Sequence, residues 1–296
     1  MKILVTGANG LLGQHLIQLL LTSTTHDVIA SGKGPNRFPF KHERLIYQSA
    51  DLAEPFDVYD LFDKCQPDIV VHAGALTQVD YCEENQEEAF KVNYNGTCSV
   101  VVKSESQQCF LIFVSTDFVF DGLNGPYKEE DEVHDVNWYG QTKWMAENVV
   151  KECTTDWAIV RTCLVYGNNF NEGRSNIINW VKENLEQGKK IKVVSDQFRT
   201  PTYVQDLAKG IILIIEKKAK GIYHISGEEM MTPFDMAIAT AEYLDLDNSL
   251  IEKVNADTFS QPAKRPLKTG LIIDKAKQEL GYAPCSFKDG LKRMLS

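Results

Sequence analysis

Residues 2 to 13 run Lys2-Ile3-Leu4-Val5-Thr6-Gly7-Ala8-Asn9-Gly10-Leu11-Leu12-Gly13, and the architecture expected of the rest follows from them. An apolar run of Ile, Leu and Val without polar alternation suits a strand buried on both faces. Gly7, Gly10 and Gly13 then follow at GxxGxxG spacing and open a helical pattern over 10–22. In that context a glycine-lined turn lets backbone approach a pyrophosphate. The helix start beyond it, with Asn9, Leu11 and Leu12, offers unpaired N–H groups and the positive end of a dipole. The same spacing also suits a tight strand–helix turn with no ligand, but the βαβ unit around it favours the dinucleotide.

The pattern repeats outward. Val- and Ile-rich runs at 27–31, 45–49, 68–74, 110–115 and 157–162 alternate with helical periodicity at 58–65, 86–107 and 139–153. Strands alternating with helices predict an α/β fold, a Rossmann-like doubly wound parallel sheet with right-handed crossovers. Past 166 the chain becomes polar and Asn-rich (167–176), then shows helical patterns near 177–187, 235–244 and 274–280. These predict a smaller C-terminal substrate-binding lobe. The expected division is 1–166 as the dinucleotide-binding domain, 200–226 returning to it through 204–215 and 222–226, and 167–199 with 227–296 as the lobe. A length of 296 residues accommodates one α/β unit with such a lobe.

Composition narrows the function. The 31 basic and 41 acidic residues give a formal charge of −10, which repels nucleic acid and anionic membranes, while a small phosphate-bearing molecule can still bind to local dipoles. Seven cysteines, an odd number without a CxxC pair, read as reduced thiols. The first residues enter a strand directly, and the longest aliphatic run in the C-terminal half is 211–215, so neither a signal peptide nor a membrane span is expected and a cytoplasmic location is. Histidines show no ligand spacing, and no metal is expected. A homodimer is the default quaternary state.

Dinucleotide sites place an acid at the carboxyl end of the second strand. Here Asp27 lies at the opposite end, and Ser31-Gly32-Lys33-Gly34 follows with Arg37 beyond. A cation at that place pairs with a 2′-phosphate, which favours NADPH over NADH, although Lys33 and Arg37 also suit solvated loop charges. Asp51 and Leu52, after the third strand, are placed to flank the adenine.

Tyr139-Gly140-Gln141-Thr142-Lys143 is the chain's one YxxxK. Residues four apart share a helix face, so the Lys143 ammonium would sit beside the Tyr139 phenol and bring its pKa down from about 10 toward working range. Tyr139 would then protonate an alkoxide as hydride arrives, and Lys143 would hold the nicotinamide ribose. Upstream, Ser115-Thr116-Asp117 ends a central strand, where open α/β sheets bind ligands. Thr116 is the hydroxyl chosen to align the substrate oxygen, and Asp117 either meets the substrate or caps the following loop.

Together these stretches resemble the extended short-chain dehydrogenase/reductases and, within them, the dTDP-4-dehydrorhamnose reductases. The resemblance spans nearly the whole chain: TGANGLLG (6–13), HAGALTQVD (72–80), STDFVFDG (115–122), YGQTK (139–143), RTCLVYG (161–167), DQFRTPT (196–202) before DLA (206–208), and AKRP (263–266) before IDKAKQELGY (273–282). It implies NAD(P)H-dependent reduction of the 4-keto group of a nucleotide-linked deoxysugar, with Thr116, Tyr139 and Lys143 catalytic. It further implies Ala73, Gly74 and Ala75 against the cofactor, and Asn93 supporting Lys143 through water. Thr77, Val79 and Asp117 would lie with the sugar, and Arg265 near the diphosphate, unless it pairs with a surface acid; Arg199 is a further candidate for contact with the substrate. The chain departs from that pattern at Phe118, where Tyr is common, at Asn137-Trp138, where a Pro-containing stretch is usual, at Arg199, where a small residue is frequent, and at Gly74, where Ala is frequent.

Two other readings fit the same residues. The regulatory subunit of methionine adenosyltransferase resembles this subgroup and uses the fold for binding, since fold does not fix function. A reductase or epimerase acting on another nucleotide sugar would also keep the motifs.

Overall fold

The computed structural model describes residues 1–168, 170 and 176–295; part of the Asn-rich stretch expected to open the second lobe, 169 and 171–175, lies outside the described residues. β1 (Lys2–Thr6), α1 (Leu11–Ser23), β2 (Asp27–Gly32), β3 (Leu45–Ser49), α2 (Pro55–Cys65), β4 (Ile69–His72), α3 (Val79–Glu84), α4 (Gln86–Phe90) and α5 (Gly96–Ser106) open the chain. β5 (Phe110–Thr116), α6 (Trp138–Lys151) and β6 (Trp157–Thr162) complete the first unit. β7 (Val165–Tyr166), α7 (Ile177–Glu186), β8 (Ile191–Val194), β9 (Thr202–Tyr203), α8 (Val204–Lys217), β10 (Gly221–His224), α9 (Pro233–Tyr243), β11 (Ile251–Val254) and α10 (Phe287–Leu295) follow.

Seven strands form one sheet in the order β10-β6-β5-β4-β1-β2-β3, every pair parallel. The order reverses between β1 and β4, the switch point where doubly wound sheets open a crevice. One face is covered by α1 and α8, whose Leu16, Ile17, Leu20, Leu207, Ile211 and Ile214 pack on Ile3, Val5 and Val71. On the other, Val58, Leu61, Val100 and Ala146 from α2, α5 and α6 pack on Leu4, Val70 and Phe113. Burial on both sides is why these strands read as unbroken apolar runs.

The segment 204–215 returns to the main sheet as a helix on its face, and Gly221–His224 adds the edge strand beside β6. The single helix expected over 86–107 is broken. A π-helical turn at Lys91–Asn95 separates α4 from α5 and carries the buried Asn93, an irregularity that side-chain periodicity does not reveal. The second lobe packs α7 and α9 over the parallel β8–β11 pair through Val181, Leu185, Val193, Ala237 and Ile251. Tyr166, Ile178, Met236, Phe287 and Leu291 join it to the sheet domain.

Candidate active site

A cleft of about 970 Å³ opens over the switch point and is walled on its far side by Tyr166, Asn176, Ile177 and Arg199. His72 locks its floor. The imidazole bridges the Thr6 and Thr97 hydroxyls at 2.7 and 3.1 Å, and Thr6 in turn accepts the Gly74 N–H at 3.1 Å, so the ends of β1 and β4 hold one geometry. Burial, with the nearby Lys143 charge, drops the His72 pKa to about 3, so the ring is a neutral hydrogen-bonding strut.

Gly7 has φ +70°, and a Cβ on it would lie 2.7 Å from the Ala73 oxygen and the Gly74 nitrogen; a Cβ on Gly13 would collide with the Gly7 carbonyl. These two glycines let the chain pack on itself. Gly10 is different: it is exposed, serves as the N-cap of α1 and brings no side-chain cap. The first-turn N–H groups of Leu11, Leu12 and Gly13 therefore have no intrahelical acceptor and meet the cleft, a cradle that fits a pyrophosphate. Asn9 shapes its outer edge, donating to the Pro35 carbonyl and Tyr47 hydroxyl at 3.1 Å and accepting the Arg37 N–H at 2.9 Å. Leu52 Cδ1 lies 2.5 Å from where a Cβ on residue 74 would stand, which accounts for glycine at that position.

At the adenosine end, Lys33 pairs with Asp51 at 2.7 Å and both line the cleft. Burial alone would raise the Asp51 carboxyl, but Lys33 and the Ala53 N–H bring it below its ordinary value. Asp27 is exposed at the far end of β2, as its sequence position requires.

Thr116, Tyr139 and Lys143 line the centre of the same cleft, and Ala73, Ala75, Thr77, Val79 and Asp117 border it. Ser115 does not compete with Thr116, because its hydroxyl donates to Glu147 Oε1 at 2.6 Å. The electrostatics differ from the sequence expectation: burial pushes the Tyr139 phenol up, the neighbouring Thr116 side chain opposes this only in part, and Asp117 and Cys82 add to it. Lys143 does not lower it, because its Nζ stands 3.9 Å from the centroid of the Phe113 ring and burial takes the ammonium itself down to about 7. Desolvation of two groups on one buried helix face outweighs their mutual help.

Asn93 and Arg265 stand outside the cleft lining. Asn93 accepts the Leu76 N–H at 2.8 Å and donates to the Leu76 carbonyl and Thr142 hydroxyl at 3.0 and 3.1 Å, fixing α6 beside Lys143 instead of reaching the amine. Arg265 grips Asp80 with both Nη atoms, the partner-acid alternative left open by the sequence. Asp117 does not cap the next turn with its side chain; Thr116 does, accepting the Phe118 N–H at 3.2 Å.

Sequence reasoning missed the support beneath the catalytic helix. Glu147 is buried and receives Arg161 Nη2 at 2.7 Å and Nε at 3.0 Å. Its signal was present: an arginine inside the apolar strand 157–162 requires a buried acid, and Glu147 lies four residues past Lys143 on the same helix face. Asn137 was also missed. Its Oδ1 caps α6 by accepting the Gly140 N–H at 2.9 Å, which explains the departure just before Tyr139.

Known proteins resemble the chain over nearly its whole length. The chain is 30% identical to the dTDP-4-dehydrorhamnose reductase of Aggregatibacter actinomycetemcomitans, over 99% of this chain and 98% of that one. It is also 30% identical to methionine adenosyltransferase 2 subunit beta of Mus musculus, over 99% and 87% respectively. A crystal structure of a dTDP-4-dehydrorhamnose reductase from Clostridium acetobutylicum matches with a TM-score of 0.88 at 29% identity, covering 100% of this chain and 98% of that one. That of Bacillus anthracis in complex with NADP matches with 0.84 at 26%, covering 99% and 98%. The family model described as RmlD substrate binding domain matches residues 1–296, and the chain belongs to that family.

Proposed function

We propose that the protein reduces the 4-keto group of a nucleotide-linked deoxysugar with NADPH, NADH being the weaker donor, and that dTDP-4-dehydrorhamnose is its substrate. The observation that carries this reading is the convergence of Thr116, Tyr139 and Lys143 on one cleft with the open start of α1. The reductases among its relatives and the NADP-bound neighbour support it. A bound nicotinamide supplies hydride. The backbone N–H groups at the start of α1, from Leu11 to Gly13, hold the pyrophosphate beside Gly10, and Lys33 meets a 2′-phosphate. Tyr139 keeps its proton at neutral pH because burial raises the phenol, which suits an acid that must deliver a proton to the nascent alkoxide. Lys143, whose ammonium gains and loses its proton near neutrality, positions the ribose. Thr77 and Val79 border the sugar.

The test is turnover across a panel of sugar nucleotides followed by loss of nicotinamide absorbance. Oxidation of NADPH with dTDP-4-dehydrorhamnose supports the proposal, and silence across the panel contradicts it. The similarity to methionine adenosyltransferase 2 subunit beta favours a second reading, a regulatory subunit. Recovery of a synthetase partner together with no sugar turnover would select it.

A further inference from the structure

Residues 33–37, between the carboxyl end of β2 and the buried Phe38, are all exposed, and Lys33 and Arg37 among them line the adenosine end of the cleft. With every side chain exposed, burial does nothing to order such a loop. Its main chain is held instead by hydrogen bonds to two side chains from outside it, at Gly32, Gly34, Pro35 and Arg37.

The first of these side chains is Tyr47 on the edge strand β3. Its hydroxyl aims its proton at the Gly32 and Gly34 carbonyl oxygens, 2.9 and 2.7 Å away, while the ring meets Phe38 edge-on with centroids 6.0 Å apart. The second is Asn9, from the turn between β1 and α1. Its Nδ2 donates to the Pro35 carbonyl and to the Tyr47 hydroxyl, both at 3.1 Å, and its Oδ1 accepts the Arg37 N–H at 2.9 Å. Both amide protons of Asn9 are thus used, and the two side chains bond to each other as well as to the loop.

This arrangement has two consequences for an anion. Three carbonyl oxygens that would repel it, those of Gly32, Gly34 and Pro35, are occupied by donors. The two cation-bearing residues are also fixed relative to the glycine turn, because Asn9 belongs to that turn. In a dinucleotide only the adenosine ribose separates the pyrophosphate from a 2′-phosphate, so a fixed spacing between the α1 start and residues 33 and 37 matches a fixed spacing in the ligand. A loop ordered beforehand gives up little main-chain freedom when the ligand arrives. A 2′-hydroxyl carries no charge for the loop to meet and gains far less from it.

We infer that Tyr47 and Asn9 are positioning residues for cofactor choice: they clamp residues 32–37 into a preformed collar that sets Lys33 and Arg37 for a 2′-phosphate. This deepens the reading of NADPH as the preferred donor and rests on it, not on the identity of the sugar.

The experiment titrates the intact protein with NADPH and with NADH, without sugar, in wild type, Tyr47→Phe and Asn9→Ala. Phenylalanine keeps the ring against Phe38 and removes only the hydroxyl. Tyr47→Phe should weaken NADPH about 10-fold and leave NADH within about 2-fold. Asn9→Ala, which cuts the loop from the other side, should also lower the NADPH-to-NADH affinity ratio. In the ligand-free wild type the Arg37 amide should exchange slowly with solvent, and faster in Asn9→Ala. An affinity ratio unchanged in both variants, equal losses for the two dinucleotides, or an unprotected Arg37 amide in wild type would overturn the inference while NADPH preference stands. A wild type that binds NADH as tightly as NADPH would remove the preference and the inference together. Tight NADPH binding with no turnover of keto sugars removes the reductase reading alone.

Discussion

Burial in the cleft gives Lys143 a consequence for stability. Its ammonium is fully enclosed and titrates at about 7, against 10.5 when exposed. Between those values the unfolded chain binds the proton and the folded chain does not, so stability rises with pH through that window and the full penalty remains below it. Wild type should gain up to ~1.4 kcal/mol per pH unit between about pH 7.5 and 9 relative to Lys143→Met, read from urea unfolding; equal slopes would show that Lys143 stays charged. At the other end of the cleft, Lys33 is largely exposed, so its effect is small. Lys33→Ala should lower the preference for NADPH over NADH by about 5-fold in binding titrations, and an unchanged ratio would remove Lys33 from the 2′-phosphate site. Residue types and spacings made Tyr139, Lys143 and Thr116 legible as a set. Their protonation was not, because a pKa depends on what covers the group, and the Phe113 ring beneath Lys143 comes from a strand 30 positions away in sequence. The Asp80 partner of Arg265 was illegible for the same reason: it comes from α3, 185 residues distant.

At the scale of elements, the strand–turn–helix unit β1–α1 and the catalytic helix α6 bring the chemistry together. A methyl on residue 13 meets the Gly7 carbonyl, so Gly13→Ala should cost about 1–3 kcal/mol and weaken dinucleotide binding, whereas Gly10, exposed at the N-cap, is constrained by ligand approach more than by packing. α6 is held at its start by the Asn137 cap and beneath by Glu147, Arg161 and Ser115. Burial alone would raise the Glu147 carboxyl, but Arg161, Ser115 and Lys151 together bring it below its usual value. Arg161→Met strands that carboxylate and should cost ~3–5 kcal/mol in denaturant unfolding, while replacing both partners with apolar residues should recover much of the loss. A small effect of Arg161→Met would mean that the pair contributes little. Strand positions were readable because burial on both faces favours apolar runs, and Trp157–Thr162 lies at the bounds expected, as does the partly exposed edge strand Leu45–Ser49. The broken helix at Lys91–Asn95 was not, since a π turn changes hydrogen bonding without changing side-chain type.

At the scale of the molecule, the cleft lies between the sheet domain and the lobe, and two segments from the far part of the sequence close it. The loop 196–202 brings Arg199, and the stretch 263–269 brings Thr269, whose hydroxyl meets Asp117. No helix among the described residues is long and apolar enough to cross a membrane. The expected homodimer is a matter for light scattering. The central claim is that Tyr139 delivers a proton in a cleft where a nicotinamide dinucleotide lies over the start of α1. The direct measurement is single-turnover reduction of dTDP-4-dehydrorhamnose by NADPH in wild type and Tyr139→Phe, with dinucleotide affinity measured on both. The account expects equal affinity and a rate at least ~100-fold lower in the variant. Unchanged turnover in Tyr139→Phe would contradict it.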